Sequence, residues 1–338
     1  MTQRLCIALS VFIAVLLPPS PVAAQNYYPN GLLLASTASA QSYPTRSVRI
    51  VVPVAPGGGL DTQGRLLSKK LQERMGQVFV IDNRPGANAM IGTEIVVRSP
   101  ADGYTLLFAG AGLATAVTLN KNLAFDLQRD LAPVVQVSSA AQLLIVHPSL
   151  PAKTVQEFVA LAKRQAGKMN ASSSGTGTAN HLALEMLKQK AGINMTHIPY
   201  KGSGPAVIAL MSGDVDFAFA GALSTVPYVR SGRIRVLAVT TPKPSPAVPD
   251  VPTLTSLYPG FESTNWYTIF APVGTPAAIT AKISSEIAAA LKSPEIREFL
   301  LKEGADPVGS TPAETASFFV REVERYASVI QAANIRIE

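Results

Sequence analysis

The strongest constraint in this sequence is a repeated alternation of short apolar run, glycine-rich loop and helix-periodic stretch. Residues 49–54 read as a buried strand, and residues 55–59 as a loop with three consecutive glycines. Leu60, Leu67, Leu71 and Met75 then fall on one helical face, and Gly76 stops that helix. A strand at 78–81, a turn at 83–87, a helix at 89–98 and a strand at 105–109 follow. Such winding builds a parallel sheet with helices on both faces, because each crossover must return along the sheet.

The apolar runs 134–137 and 143–146 flank a polar stretch, 138–141, that reads as the chain crossing into a second domain. There the pattern recurs: a capping box at Thr154 and Glu157, strands at 168–171, 195–199, 216–220 and 234–239, and helices between them. Residues 241–252 hold five prolines and read as a stiff surface connection. A strand at 266–271 returns the chain to the first domain. Thr275 and Ser293, each followed by proline, read as helix starts, and Thr311 with Glu314 as another capping box. The fold class is therefore α/β. One domain comprises 43–141 plus 262–338 and the other 142–261.

A chain of 338 residues, 47% of them apolar, is long enough for two such domains. Charged residues make up only 15%, which excludes a disordered polyelectrolyte. The net charge of +7 is spread along the chain rather than gathered in a stripe, so no nucleic-acid partner is expected. A mildly positive field suits an anionic small molecule. One cysteine, Cys6, and three scattered histidines, His147, His181 and His197, provide neither a disulfide framework nor a metal cage. No metal and no cofactor are expected. Arg4 followed by an apolar run at 5–17 has the form of a signal peptide over 1–40 and is shorter than the ~20 residues of a membrane span. Cleavage after Ala24 or Ala40 fits the small residues there, with Ala40 favoured, and the product is expected to be a soluble periplasmic monomer.

The chemistry is confined to loops. Neither the triple glycine at 57–59 nor Gly175 and Gly177 completes a dinucleotide fingerprint, and no phosphate loop or strained serine elbow is present. Residues 56–59, 172–178 and 201–204 each lie between a strand and a helix. They place backbone N–H groups at a helix N-terminus, where the dipole favours an anion. Asp61 caps its helix, orders the first loop or contacts a ligand. Trp266, the only tryptophan, belongs to the core or to a cleft wall.

In these loops the sequence resembles the Bug receptors, the solute-binding proteins of tripartite tricarboxylate transporters. The resemblance runs from Tyr43 to Ala332. It rests on Tyr43-Pro44-Thr45-Arg46, the segment 52–61, Asn83-Arg84-Pro85-Gly86-Ala87, and Asp102-Gly103-Tyr104. It continues through 173–178 with His181-Leu182, His197-Ile198-Pro199-Tyr200-Lys201-Gly202, Gly213-Asp214-Val215-Asp216 and 270–276. It implies a two-lobed periplasmic-binding-protein clamshell, each lobe a mostly parallel sheet flanked by helices. The ligand implied is a small organic acid (mono- or dicarboxylate, amino acid or aromatic acid), delivered to membrane permease subunits. It further implies that one carboxylate is held by Ala55, Pro56, Gly57, Gly58, Gly86 and Ala87. The far end of the ligand then meets Ser173, Ser174, Gly175 and Thr178. The chain departs from the family pattern at Asn88, Ala166 and Tyr267-Thr268, and Asn88 and Tyr267 bear on the cleft. Two other functions fit the residues: a sensor that passes its loaded form to a signalling partner, and a secreted carboxylic-ester hydrolase using Ser174 and His181.

Overall fold

The computed structural model describes residues 42–57, 59–120, 123–302 and 304–336. The expected signal segment 1–40 and the expected ligand contact Gly58 lie outside the described residues. Strand β1 (Val48–Val52) carries four buried β-branched residues, Val48, Ile50, Val51 and Val52, on both faces, as a central parallel strand requires. It pairs in parallel with β2 (Phe79–Asn83) and β3 (Thr105–Gly110). Helix α1 (Gly59–Met75) buries Leu60, Leu67 and Leu71 and ends at Gly76, whose φ of 69° is the left-handed cap that glycine adopts without strain. A 3₁₀ turn (Ala87–Ala89) leads into α2 (Met90–Val97), and α3 (Gly112–Leu119) follows β3.

Strand β4 (Leu131–Val146) is 16 residues long and pairs with strands of both halves. Beyond it come α4 (Val155–Arg164), β5 (Asn170–Ser173), α5 (Ala179–Ala191), β6 (Thr196–Pro199), α6 (Ser203–Ser212), β7 (Phe217–Gly221), α7 (Ala222–Arg230) and β8 (Arg235–Val239). The chain returns through β9 (Thr264–Pro272) to α8 (Ala277–Leu291), α9 (Pro294–Lys302), β10 (Ala305–Pro307) and α10 (Pro312–Ala332). The strand order is β2-β1-β3-β9-β4-β7-β5-β6, with β8 and β10 also paired to β4.

The parallel winding expected from sequence holds for three strands in each half, β2-β1-β3 and β6-β5-β7. The crossover strands β4 and β9 pair antiparallel with each other and with β7 and β3, so the sheet as a whole is mixed. Residues 138–141, which read as a break, are part of β4: they pair with residues 264–267 of β9. Their polarity is accommodated inside, since the buried Ser138 hydroxyl donates to Gln63 Oε1 at 2.7 Å. The pairing partner of β4 changes between Ala141, opposite Thr264 of β9, and Gln142, opposite Gly221 of β7.

Both expected capping boxes place their threonine at the cap. Thr154 accepts from the Glu157 amide, and Thr311 and Glu314 cap each other reciprocally. Thr275 does not cap: its hydroxyl goes to the Pro272 carbonyl at 2.8 Å, and α8 begins at Ala277. One core cluster lies under α1 and α8, around Leu67, Phe108 and Ile283, and another surrounds Val207, Leu210 and Ala218 in the other half. The largest spans both halves, from Leu107 through Leu144 to Phe158, with Phe319 and Tyr326 of α10 packed into it. Helix α10 accordingly lies on α3, β4 and α5 and ties the halves together.

Candidate functional site

Strand register fixes where the loops meet. Gly110, the last residue of β3, lies opposite Tyr267, which lies opposite Ser138; Gly221, the last residue of β7, lies opposite Gln142. The parallel strands of the two halves run in opposite senses along β4, so their carboxyl ends face each other across residues 138–142. Ligands of open α/β sheets bind at such carboxyl ends. The helices that start there lack side-chain caps: α2 follows Gly86 and Ala89, α3 follows Ala111, α5 follows Thr178, α6 follows Gly202, and α7 follows Gly221. By contrast α4 and α10, which start elsewhere, carry threonine caps, while α8 follows Pro276, which has no polar side chain. Amides left uncapped at several converging helix ends form a concentrated anion-binding potential.

In the first half the loop after β1 is organised by Asp61. Its buried carboxylate accepts the Gly57 amide at 2.9 Å, Asn83 Nδ2 at 2.9 Å and Arg65 Nε at 3.0 Å. Burial alone would raise its pKa. Hydrogen bonds from Arg65, Gly57 and Asn83 outweigh that and hold the carboxyl below its usual range. Asp61 thus orders the loop, one of the roles the sequence left open. Gly57, at φ 90°, turns its N–H onto Asp61, and Pro56 has none to offer. The exposed Ala55, Gly86 and Ala87 remain as backbone donors in the first two loops. Ala87 (φ 45°) and Ala89 (φ 75°) sit in the left-handed region that costs a non-glycine residue about 1 kcal/mol or more, a strain concentrated at the loop expected to touch the ligand.

In the second half Ser174, Gly175 and Thr178 are partly exposed, whereas Ser173 is 0% exposed. The Ser173 hydroxyl lies 2.7 Å from His197 Nε2 and accepts the Gly175 amide. Thr178 donates to the Gly175 carbonyl, and Ser174 donates to Asn180 Oδ1 at 2.6 Å. The Gly177 amide donates to His181 Nδ1 at 3.1 Å, and the His181 and His197 rings stack at 3.8 Å. The Ser174–His181 contact that ester hydrolysis would need is therefore absent, since each group is committed to another partner. The serine that does touch a histidine is buried.

Burial, then the charge of His181, push the His197 pKa down to about 4. The unfolded chain takes up this proton first, near pH 6.5, so the neutral ring's contribution is complete above that pH and is lost as pH falls towards 4. The loss amounts to about 3 kcal/mol at most. Melting temperature is expected to drop across this window, and His197→Gln, which keeps a partner for Ser173, to flatten the profile. A wild-type profile flat from pH 7 to 4 would contradict this assignment.

Trp266, expected as core or cleft wall, is core. It is 0% exposed, its indole N–H donates to Glu322 Oε2 at 2.8 Å, and its ring meets Phe318 and Phe319 edge-on. The neighbouring Tyr267 is the residue that reaches the facing strand ends. Its ring lies against Gly110, where an added Cβ would stand 3.1 Å from it, and its hydroxyl accepts from Asn265 at 3.2 Å. Sequence reasoning did not find Asn83, Asn180 or Gln142. Among the described residues no cluster of His, Cys, Asp or Glu suits a metal ion, and no helix is long and apolar enough to cross a membrane.

The sequence model of the family described as "Tripartite tricarboxylate transporter family receptor" matches residues 64–335. Protein BugT of Bordetella pertussis is 34% identical over 308 residues, covering 90% of this chain and 94% of the relative. Among solved structures, R. palustris Rpa4515 with adipate is 34% identical with a TM-score of 0.78, covering 87% of this chain and 99% of that one. MatC from Rhodopseudomonas palustris with bound malate is 30% identical with a TM-score of 0.74, covering 85% and 100%.

Proposed function

Because the chain belongs to the tripartite tricarboxylate transporter receptor family, we propose that it captures a small organic acid between its two halves for a membrane permease. The observation that carries this reading is the convergence of uncapped helix N-termini on residues 138–142 of β4, in loops where 54–60, 86–89 and 172–178 contain no lysine or arginine. A carboxylate suits such a site because backbone amides, hydroxyls and bridging waters supply donors without a buried counter-charge. Ala55, Gly86 and Ala87 hold one carboxylate in this reading, and Ser174, Gly175 and Thr178 meet the far end. The adipate and malate bound by the two relatives are of this chemical class.

The lobes divide where β4 changes partner, giving 43–141 with 262–338 and 142–261. The receptor acts in the periplasm as a monomer after removal of 1–40, and it binds without turnover. Native mass spectrometry of protein purified without unfolding tests the reading. The expected intact chain begins at Gln41 or Gln25, and the released ligand is an organic acid. A chain retaining Met1, or a sugar or cation as the only ligand, would overturn it. Thermal shift adds a check, since ligand at 100 times Kd stabilises by about 2.7 kcal/mol, and a chelator should leave that shift unchanged.

A further inference from the structure

A chain of side-chain hydrogen bonds runs from the second-half loop into the place where the chain crosses between halves. Ser174 Oγ donates to Asn180 Oδ1 at 2.6 Å, Asn180 Nδ2 to Gln142 Oε1 at 2.9 Å, and Gln142 Nε2 to Ser263 Oγ at 2.9 Å. Ser263 in turn faces the Ala179 carbonyl at 3.5 Å. Gln142 and Ser263 are both 0% exposed. Gln142 is the residue at which β4 changes partner, and Ser263 immediately precedes β9, so the two stand on the two crossovers. Thr240, at the end of β8, joins them: its hydroxyl accepts the Gln142 amide at 2.9 Å and donates to the Ser263 carbonyl.

From this geometry we infer that Asn180 and Gln142 are positioning residues, which orient the Ser174 hydroxyl and couple it to the crossovers between the halves. Two physical points support this. A fully satisfied buried polar chain is stiff, because breaking any link leaves a buried group without a partner. Each amide also presents oxygen on one side and nitrogen on the other, so the chain keeps its bonds only if both amides share one sense. In the sense seen here Ser174 gives its proton to Asn180 and turns lone pairs outward. To donate to a carboxylate, Ser174 must accept from Asn180 instead. Asn180 and Gln142 then turn over together, and Ser263 donates to Gln142 rather than reaching for Ala179 at 3.5 Å. The only bond given up is the longest in the chain. Ligand contact at Ser174 is thereby transmitted to Ser263, and the orientation of Ser174 depends on residues that touch no ligand.

This coupling rests on the receptor reading only for its ligand arm. The first test needs no ligand. In side-chain amide NMR of the full protein, Ser174→Ala is expected to shift the Gln142 NH₂ resonances, two links away; unshifted resonances would overturn the coupling. The second test is a double-mutant cycle with adipate and malate as probes. Gln142→Met and the partly exposed Asn180→Ala are each expected to weaken binding about tenfold. In a Ser174→Ala background they should have no further effect, because the hydroxyl they orient is gone. A loss that persists in that background would mark a general loosening of the fold and contradict the positioning role. If the wild type binds neither probe, the choice of these two acids is at fault, and the NMR shift still decides the coupling.

Discussion

Asp61→Ala is expected to abolish carboxylate binding, raising Kd at least about a hundredfold, through the loop that Asp61 organises. The carboxylate gathers the Gly57 amide, Asn83 and Arg65 onto one point and so sets the path of the loop between β1 and α1. Alanine removes all three acceptor contacts. Gly57 and Asn83 lose their buried partner, and the loop is free to turn the Gly57 amide into the cleft. The global cost should stay modest, roughly 1–3 kcal/mol, because the exposed Arg65 can turn to water. Asp61→Asn, which retains one acceptor oxygen, should fall between. The same carboxyl gives a pH signature. Its folded pKa is lowered, so its stabilisation is complete above about pH 4 and is lost as pH falls through the lowered value. That window lies below the one set by His197, so the two losses are separable in a melting profile. Wild-type affinity in Asp61→Ala by calorimetry would show that the loop holds its shape without this residue.

Gly57→Val should also eliminate binding, by a different route. Gly57 has φ 90°, a region that costs an L-residue about 1–2 kcal/mol and a β-branched residue more. No heavy atom lies within 4 Å of where its Cβ would stand, so no clash is introduced and the penalty falls on the backbone alone. The loop is expected to relax to negative φ, break the Gly57–Asp61 bond and carry Ala55 out of position. Melting should fall by a few degrees, as about 1–2 kcal/mol implies for a chain of this size, while affinity falls a hundredfold or more. Gly57→Ala, with the smaller penalty, should lose less. Unchanged affinity in Gly57→Val would mean that the loop after β1 does not form the site.

Much of this was legible because local rules and the global fold agree. The β-branched residues of β1, the Leu60–Leu67–Leu71 face and the two threonine caps each specify their element from neighbours in sequence. The loops at 56–59, 172–178 and 201–204 were also legible as strand-to-helix turns, and in the structure the α5 and α6 starts at Thr178 and Gly202 carry no side-chain cap, whereas Thr154 and Thr311 cap helices that start elsewhere. What sequence reading could not settle depended on distant partners. Ser138 reads as loop until Gln63 is seen to satisfy it, and Gln142 is an ordinary polar residue until Asn180 and Ser263 are brought to its amide. Trp266 and Tyr267 are adjacent in a strand and point to opposite faces, so a single residue of register decides which is buried against α10 and which lies against Phe108 and Gly110. Asp61 stood out by its place after the first glycine loop, but the contacts that tie it to that loop include Asn83, twenty-two residues away.

The central claim is that backbone amides at converging helix ends, rather than a cationic side chain, hold a carboxylate between the halves. A crystal structure of the protein with its retained or titrated organic acid tests this most directly. The account predicts carboxylate oxygens within hydrogen-bond distance of the Ala55, Gly86 or Ala87 amides, directly or through one water, with the far end at Ser174, Gly175 or Thr178. A carboxylate paired instead with the guanidinium of Arg65 or the ammonium of Lys201, or seated away from residues 138–142 of β4, would contradict it.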